Sequence, residues 1–513
     1  MTKPATQLTE YSKKLEEILR LDLLPPKHRG YCPPAQKVIH DALWGSRLFY
    51  PWEIALIDTP LLQRLRQIYQ LGTAYLTYPS AVHTRFSHTL GVTILAGRLI
   101  TRLKEKLEIQ DSDIQITKKD IYTVRVAGLL HDIGHCFFSH ASEKVLQHIM
   151  RPILVELGID AKPHEIIGHL IIKNEYFKEY WNSFILNMFP SAADAPDLDE
   201  IAKIIVKIPH SEDRRFIQEI ISGPYDVDKL EYLYRDAKTA GLEISYDIER
   251  YFYKITIAKS AQTTYRLVMD LGGIRAIEQI IFSKMMLFSF VYHHQKVLAT
   301  DELVFDMLME LLIEAPKGQI NINHPLDFLR YTDYDLLSRN LEGPSDKFNR
   351  IRRKLIYRDL PKRCFVLNKE FVNNFENDES IKKSYGKLLS KLRGIPDEVN
   401  NIRSEVLKIL QERFKLSNVS IDDLYVSYPK IPQMDEAASA PVIDSNGEIR
   451  AMSEYFHDLE GWQKTYDLKK LRGYFYAKDT IRKQACQAIQ IYLDEVFNLK
   501  FDQYAMLEAK MNK

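Results

Sequence analysis

The chain has 513 residues, 45% of them hydrophobic and 27% charged, and its 70 Lys+Arg against 69 Asp+Glu leave a formal net charge of +1. That length suits two or three domains around a sizeable core, and the balanced charge argues against a broad basic surface, so no strong nucleic-acid footprint is expected. Four cysteines (Cys32, Cys136, Cys364, Cys486) stand far apart with no CxxC pair, which excludes a disulfide framework or zinc ribbon and suits a reducing compartment. The N-terminal MTKPATQLTEYSKKLEE lacks an apolar signal core, and the best membrane candidate, IIFSKMMLFSFVY, is broken by Lys284. The expectation is a cytoplasmic protein with no membrane span.

In chain order, residues 1–35 open with a polar helix-like stretch and end in the Pro-rich LLPPKHRGYCPP, which reads as an N-terminal arm. From 36 to 330 helical periodicity dominates. EIALIDTPLLQRLRQIYQLG sets Leu56, Leu61, Leu65 and Ile68 roughly on one face. TLGVTILAGRLITRL and DIYTVRVAGLLHDIGH are further apolar helices, the second nearly apolar all round and so expected to be buried. ISYDIERYFYKITIA and TTYRLVMDL alternate in β-rich fashion around AKSAQ and predict a small antiparallel hairpin. Beyond 330, charged helical stretches continue, and IPQMDEAASAPVIDSNGEIR (431–450) reads as a loop with a DSNG turn. The predicted class is mainly α: a helical core over 36–330, a small antiparallel β element, and a C-terminal α/β extension over 331–513 that could serve oligomerisation or an effector site.

Eight of the fifteen histidines fall between His83 and His169. They occur in HTRFSH (83–88) and HDIGH (131–135) and beyond, and PYDVDKLEYLYRD (224–236) follows downstream. The His131-Asp132 pair ends a strongly apolar helix, so it is carried into the interior. A carboxylate buried beside an imidazole is costly unless a cation compensates. A divalent metal with two imidazole and two carboxylate ligands would do so, and such a mixed N/O set suits Mn, Fe, Zn, Ni or Mg. In DVDKLEYLYRD, Asp228, Tyr232 and Asp236 fall on one stripe of a helix, with Lys229 beside them.

DTPLLQRLRQIYQLG, HTRFSHTLGV, AGLLHDIGHCFFSH, DVDKLEYLYRD and VYHH stand in this order over residues 36–300. Together they resemble the HD-domain metal phosphohydrolase superfamily, in its deoxynucleoside triphosphate triphosphohydrolase branch. The likeness is to the core of the SAM-and-HD-domain dNTPases, with no SAM domain read before it, and it fades after 330. The resemblance implies one divalent metal per active site on His88, His131, Asp132 and Asp228, with Mg on the bound nucleotide. It implies hydrolysis of a dNTP to deoxynucleoside and triphosphate.

Arg85 matches a phosphate-binding arginine of that branch, and on a helix it would lie beside His88 three residues on. His140 and His164 match its catalytic histidines, and imidazole suits proton traffic near neutrality. Glu143 stands where an Asp usually orients the first of them, and His135 reads as a phosphate or substrate contact. His148 and His169 have no motif support and read as structural. Lys229 matches a phosphate contact, Tyr232 and Asp236 a sugar 3′-hydroxyl pair, and Tyr292 a ring that leaves no room for a 2′-hydroxyl. His294 fits the same VYHH motif, although the Lys expected next is Gln295. Gln70 and Leu71 resemble residues lining the base and sugar edge.

In the branch, an Asp, a Gln and an Arg at the offsets of Asp58, Gln63 and Arg66 can hold an activating nucleotide between subunits. Asp58 also reads as a helix N-cap with Pro60 in the first turn. The implied partners are therefore a dNTP substrate, an activating (d)NTP and further copies of the chain, as a dimer or tetramer. Pool control and antiviral dNTP depletion would use the same chemistry. Two other readings stand beside this one: an HD phosphohydrolase acting on another nucleotide phosphoester (a monophosphate, cyclic nucleotide or alarmone), or a nucleotide-sensing HD scaffold.

Overall fold

The computed structural model describes residues 6–24, 33–109, 113–260, 264–313, 320, 322–338, 341, 343–394, 396–431, 435–456 and 459–511. The Pro-rich linker at 25–32, Cys32 with it, and the tip of the AKSAQ hairpin lie outside these residues. Among them helices dominate, with one two-stranded, one four-stranded and one three-stranded sheet. The chain is thus mainly α, with a small β element and a C-terminal extension that contains strands. It divides into two compact units: Met1–Lys284 with Leu308–Asn349 and Asp435–Phe456, and Met285–Met307 with Arg350–Met434 and His457–Lys513. No helix among the described residues is long and apolar enough to cross a membrane.

The first unit is built on two helices, Arg85–Ile109 and Lys118–Leu130, packed along each other, with Val227–Thr239 against the former. Val92, Leu95, Ala96 and Leu99 of the first helix and Val124, Ala127, Leu129 and Leu130 of the second are fully buried. Each such aliphatic chain larger than alanine contributes about 1.5–3 kcal/mol of transfer free energy. Helix Lys118–Leu130 begins with a capping box: the Asp120 N–H donates to Thr117 Oγ1 (3.2 Å) and the Thr117 N–H to Asp120 Oδ2 (2.7 Å).

That helix does not run on through HDIGH. His131 is its C-cap, and residues 131–134 form a turn. The His131 ring ties this end down, its Nδ1–H donating to the Gly128 carbonyl (2.8 Å). Gly134 follows for a steric reason, since a Cβ there would collide with the His164 carbonyl and lie 2.6 Å from Gly168 N.

The stretch 51–68 is three short pieces, Pro51–Ile57, Pro60–Gln63 and the 3-10 turn Arg64–Gln67, yet Leu56, Leu61, Leu65 and Ile68 are all buried as the pattern predicts. Its cap is Thr59, not Asp58: the Leu62 N–H donates to Thr59 Oγ1 (3.4 Å), while Asp58 closes the preceding helix. The hairpin Lys37–Asp41/Gly45–Phe49 is tied to the core through Trp44, whose Nε1–H donates to Glu231 Oε1 (2.9 Å).

Ile255–Lys259 and Tyr265–Asp270 pair antiparallel, Ile255 opposite Met269, as the alternation predicts, but the upstream part of the first segment is instead the helix Ile248–Lys254, capped by Asp247. The loop expected at 431–450 is more ordered than its composition suggests. Pro441–Ile443 adds to Tyr265–Asp270 in parallel and Ile449–Ala451 folds back on it, around the DSNG turn. Asp444 Oδ1 closes that turn by accepting from Asn446 N (2.9 Å) and Glu448 N (3.0 Å).

The second unit carries a three-stranded antiparallel sheet with Gly473–Ala477 central, flanked by Lys362–Leu367 and Leu424–Ser427. Helices Pro396–Glu412 and Arg482–Phe497 pack together beside it, burying Cys364 and Cys486. Arg403 holds Asp306 bidentately at 3.1 and 2.8 Å.

Candidate metal centre

The metal ligands expected from the sequence converge in the first unit. His88 comes from the first turn of helix Arg85–Ile109, His131 and Asp132 from the turn ending helix Lys118–Leu130, and Asp228 from the first turn of Val227–Thr239. His88 Nε2 lies 3.0 Å from Asp228 Oδ1, 3.7 Å from Asp132 Oδ2 and 3.3 Å from His131 Nε2. His131 Nε2 is 3.3 Å from Asp132 Oδ1 and 3.6 Å from Asp228 Oδ1.

Both tautomers are set from behind. The His88 Nδ1–H donates to Glu231 Oε2 (2.6 Å), and the His131 Nδ1–H to a carbonyl. Each ring thus turns its Nε2 into the same small space, beside two carboxylates, where it can hold a proton or a metal ion. The donor set, N2O2 with its imidazoles oriented by hydrogen bonds, fits a divalent metal.

The electrostatics agree. Burial works against the His88 imidazolium, yet the hydrogen bonds to Asp228 and Glu231 push the ring up to about 10. His131 is raised as well, burial being outweighed by Asp132 and Asp228. Burial also opposes charge on Asp132 and Asp228, but neighbouring imidazoles, and Arg85 for Asp132, hold both carboxyls well below the usual range. The cluster demands positive charge.

Around it stand groups suited to an anion. Arg85, buried, donates from Nη1 to Asp132 Oδ2 (2.8 Å) and from Nε to Ser139 Oγ (3.1 Å), while its Nη2 has no partner among the described residues. His135 stacks on His164 at 3.7 Å between ring centroids and lies 3.4 Å from Asp132 Oδ1. Burial, helped by Arg85 and His164, keeps His135 well below its ordinary value and so neutral. Asp132, His135 and His164 form a second group whose ligand atoms lie within 4.8 Å of one another. Glu143 accepts from His164 Nδ1 (2.5 Å) and is 3.7 Å from His140 Nδ1, so it orients His164 more closely than the His140 it was expected to serve. The His140 side chain is 63% exposed and that of Asp228 33%, which marks the open side of the site.

The remaining expected residues separate. Asp236 accepts from His83 Nε2 (2.7 Å) on the same helix face as Tyr232. Lys229 Nζ is held by Asp226 Oδ2 (2.6 Å), the Gly223 carbonyl (2.8 Å) and Glu436 Oε2 (3.0 Å). Gln70 and Leu71 are buried, and Gln70 Oε1 has no partner among the described residues. Gln63 and Arg66 lie together: Arg66 Nε–H donates to Gln63 Oε1 (2.8 Å), its guanidinium sits 3.6 Å over the Phe86 ring, and it feels the charge of Asp58. Tyr292 and His294 belong to the second unit, where Tyr292 packs edge-on to Phe288 and His294 Nδ1 accepts from Lys296 N.

The sequence reading passed over Glu231 and His83. Glu231 is completely buried and also receives Arg235 Nε (2.6 Å). Its spacing of three from Asp228 was the available signal, since it puts both carboxylates near one face of the helix. A Cβ at Gly91 would collide with this carboxylate, which explains a glycine inside helix Arg85–Ile109.

A likeness to known proteins follows the same segments. The HD domain profile matches residues 85–244, and the HD associated region matches 247–502. The chain is an HD-domain protein with an HD-associated region. It is similar to the deoxynucleoside triphosphate triphosphohydrolase SAMHD1 of Bos taurus, at 34% identity over 227 residues, 42% of this chain and 37% of that protein. The Mus musculus protein of that name is 33% identical over 256 residues, 48% of this chain and 37% of its own. The chain thus spans under two-fifths of the length of these relatives. An uncharacterized protein of Methanocaldococcus jannaschii is 28% identical over 63% of this chain and 59% of its own length. A crystal structure of a hypothetical protein from Aquifex aeolicus shares the fold, with a TM-score of 0.60 at 24% identity, covering 88% of this chain and all of that one.

Proposed function

We propose that the chain hydrolyses deoxynucleoside triphosphates to deoxynucleoside and triphosphate at the His88–His131–Asp132–Asp228 cluster. The observation that carries this reading is buried Arg85, whose Nη1 donates to Asp132 of the cation-demanding cluster (2.8 Å) while its Nη2 has no partner among the described residues. Such a pairing of anion-binding and cation-binding groups suits a phosphate ester better than a neutral substrate. His88, His131, Asp132 and Asp228 would hold a divalent metal, Mn, Fe, Zn, Ni or Mg, which would supply Lewis-acid chemistry toward a phosphoryl oxygen and water.

The chain's own residues do the rest. Arg85 binds and orients the α-phosphate, and neutral His135 contributes a further polar contact beneath it. His164, its Nδ1–H fixed on Glu143, presents Nε2 for proton exchange, and exposed His140 does so from the open side. For Lys229 to reach a phosphate its ammonium must leave Asp226 and Glu436, an exchange that Mg-bound triphosphate would favour. Asp236 with His83, and Tyr232, suit the sugar hydroxyl. Gln70 and Leu71 would line the base and sugar edge, and Asp58, Gln63 and Arg66 would take an activating nucleotide in a homo-oligomer.

The test is incubation of the protein with Mn or Mg and each dNTP, singly and mixed. Triphosphate release is expected. Release of pyrophosphate or orthophosphate in its place would overturn the reading in favour of another phosphoester.

A further inference from the structure

Two buried ionisable side chains next to the candidate metal centre have no ion-pair partner among the described residues, and both hydrogen-bond to backbone. Asp333 is 1% exposed and opens the short helix Asp333–Leu337. It does not cap that helix, because Thr332 and Asp335 form the capping box. Its Oδ1 accepts from the Phe138 N–H (2.6 Å) and its Oδ2 from the Tyr69 N–H (3.0 Å). Arg64, also buried, donates from Nη1 to the His135 carbonyl (2.7 Å) and from Nη2 to the Ile133 carbonyl. A buried charge is costly, and it persists where the surroundings need what it holds.

What they hold is the segment Ile133–His140. Phe138 and Ser139 both have positive φ, 54° and 43°, a conformation that non-glycine residues adopt only when neighbouring structure over-determines it. Ser139 is aimed by this backbone: its hydroxyl donates to the Tyr69 carbonyl (2.7 Å) and accepts from Arg85 Nε. The next residue, His140, starts the helix His140–Ile149, which carries Glu143 to His164. Arg64 fixes the segment's upstream half, Asp333 its strained residue and the facing Tyr69.

We infer that Asp333 and Arg64 are positioning residues that clamp this segment at two points and so set the placement of Arg85, His140 and the Glu143–His164 pair. Neither touches substrate. The kinetic part rests on the reaction proposed above; the backbone clamp does not.

Asp333→Asn tests it, because an amide nitrogen cannot accept and one of the two N–H groups must lose its partner. Hydrogen exchange should quicken about tenfold in peptides spanning 136–140 and 67–71, with bound metal and exchange elsewhere in the core unchanged. In the triphosphate-release assay kcat should fall between about tenfold and a hundredfold with little change in KM, and Asp333→Glu, which keeps both acceptors, should recover part of it. Should Asp333→Asn fail to fold, Arg64→Lys is read by the same measurements at residues 133–140. Unchanged exchange in the two peptides, exchange that rises equally across the core, or a wild-type kcat in a variant with faster exchange would overturn the inference. A wild-type protein releasing no triphosphate would instead overturn the reaction while leaving the exchange result standing.

Discussion

His88 shows how much one side chain depends on the groups behind it. Its Nδ1–H is spent on Glu231, and only that bond turns Nε2 toward His131, Asp132 and Asp228. Glu231→Gln preserves the shape but weakens the acceptor, so metal affinity should fall by about 10–100-fold in a metal titration. Equal affinity would show the carboxylate to be merely a core residue. Joint replacement His131→Ala with Asp132→Ala should abolish both bound metal and hydrolysis, read by elemental analysis beside the activity assay. Metal content at the wild-type level would place the centre elsewhere.

At the scale of elements, the turn at the end of helix Lys118–Leu130 is set by contact with helix Pro163–Lys173. Gly134 lies so close to it that a Cβ meets the His164 carbonyl. Gly134→Ala should therefore cost about 1–3 kcal/mol as overpacking, seen as a lower unfolding transition, and should weaken metal binding at the same time. A variant as stable as wild type would mean that the two helices can separate freely there. HDIGH was legible both as a motif and as the end of a helix, but what ends that helix was not. Apolar periodicity runs straight through Leu129 and Leu130, and what stops the helix is a helix some thirty residues downstream.

Asp333 brings a pH dependence to the molecule as a whole. Burial pushes its carboxyl up to about 7, against its two backbone hydrogen bonds and Arg85; Tyr75, the other ionisable group in its field, is itself raised and neutral. A carboxyl raised on folding binds more protons folded than unfolded, so its contribution favours folding at low pH and is lost as pH rises from about 4 through about 7. Up to a few kcal/mol are involved. Between pH 5 and pH 7.5 the wild type should lose more of its melting temperature than Asp333→Asn, by calorimetry; parallel curves would contradict the shift. Chelation should lower the same transition, because a metal bound only by the folded state stabilises it by mass action, and restoring Mn or Mg should recover it.

Much of the candidate cluster was legible through the resemblance to the HD-domain family. His88, His131, Asp132 and Asp228 sit in short strings whose residue types and order match that family, and the burial of the His131-Asp132 pair follows from the apolar residues before it. Composition and periodicity likewise pointed to a mainly helical chain with one hairpin, although the first strand was expected to start near 244 and starts at Ile255. The tertiary structure alone decided the rest. Asp333 reaches Phe138 across 195 positions, and Arg64 reaches His135 across 71. Residues 441–451 complete a sheet begun near 255, although their composition reads as loop. Such pairings have no local period. Backbone groups left over by one segment are satisfied by whatever the fold brings beside them, and that is settled only when the core closes.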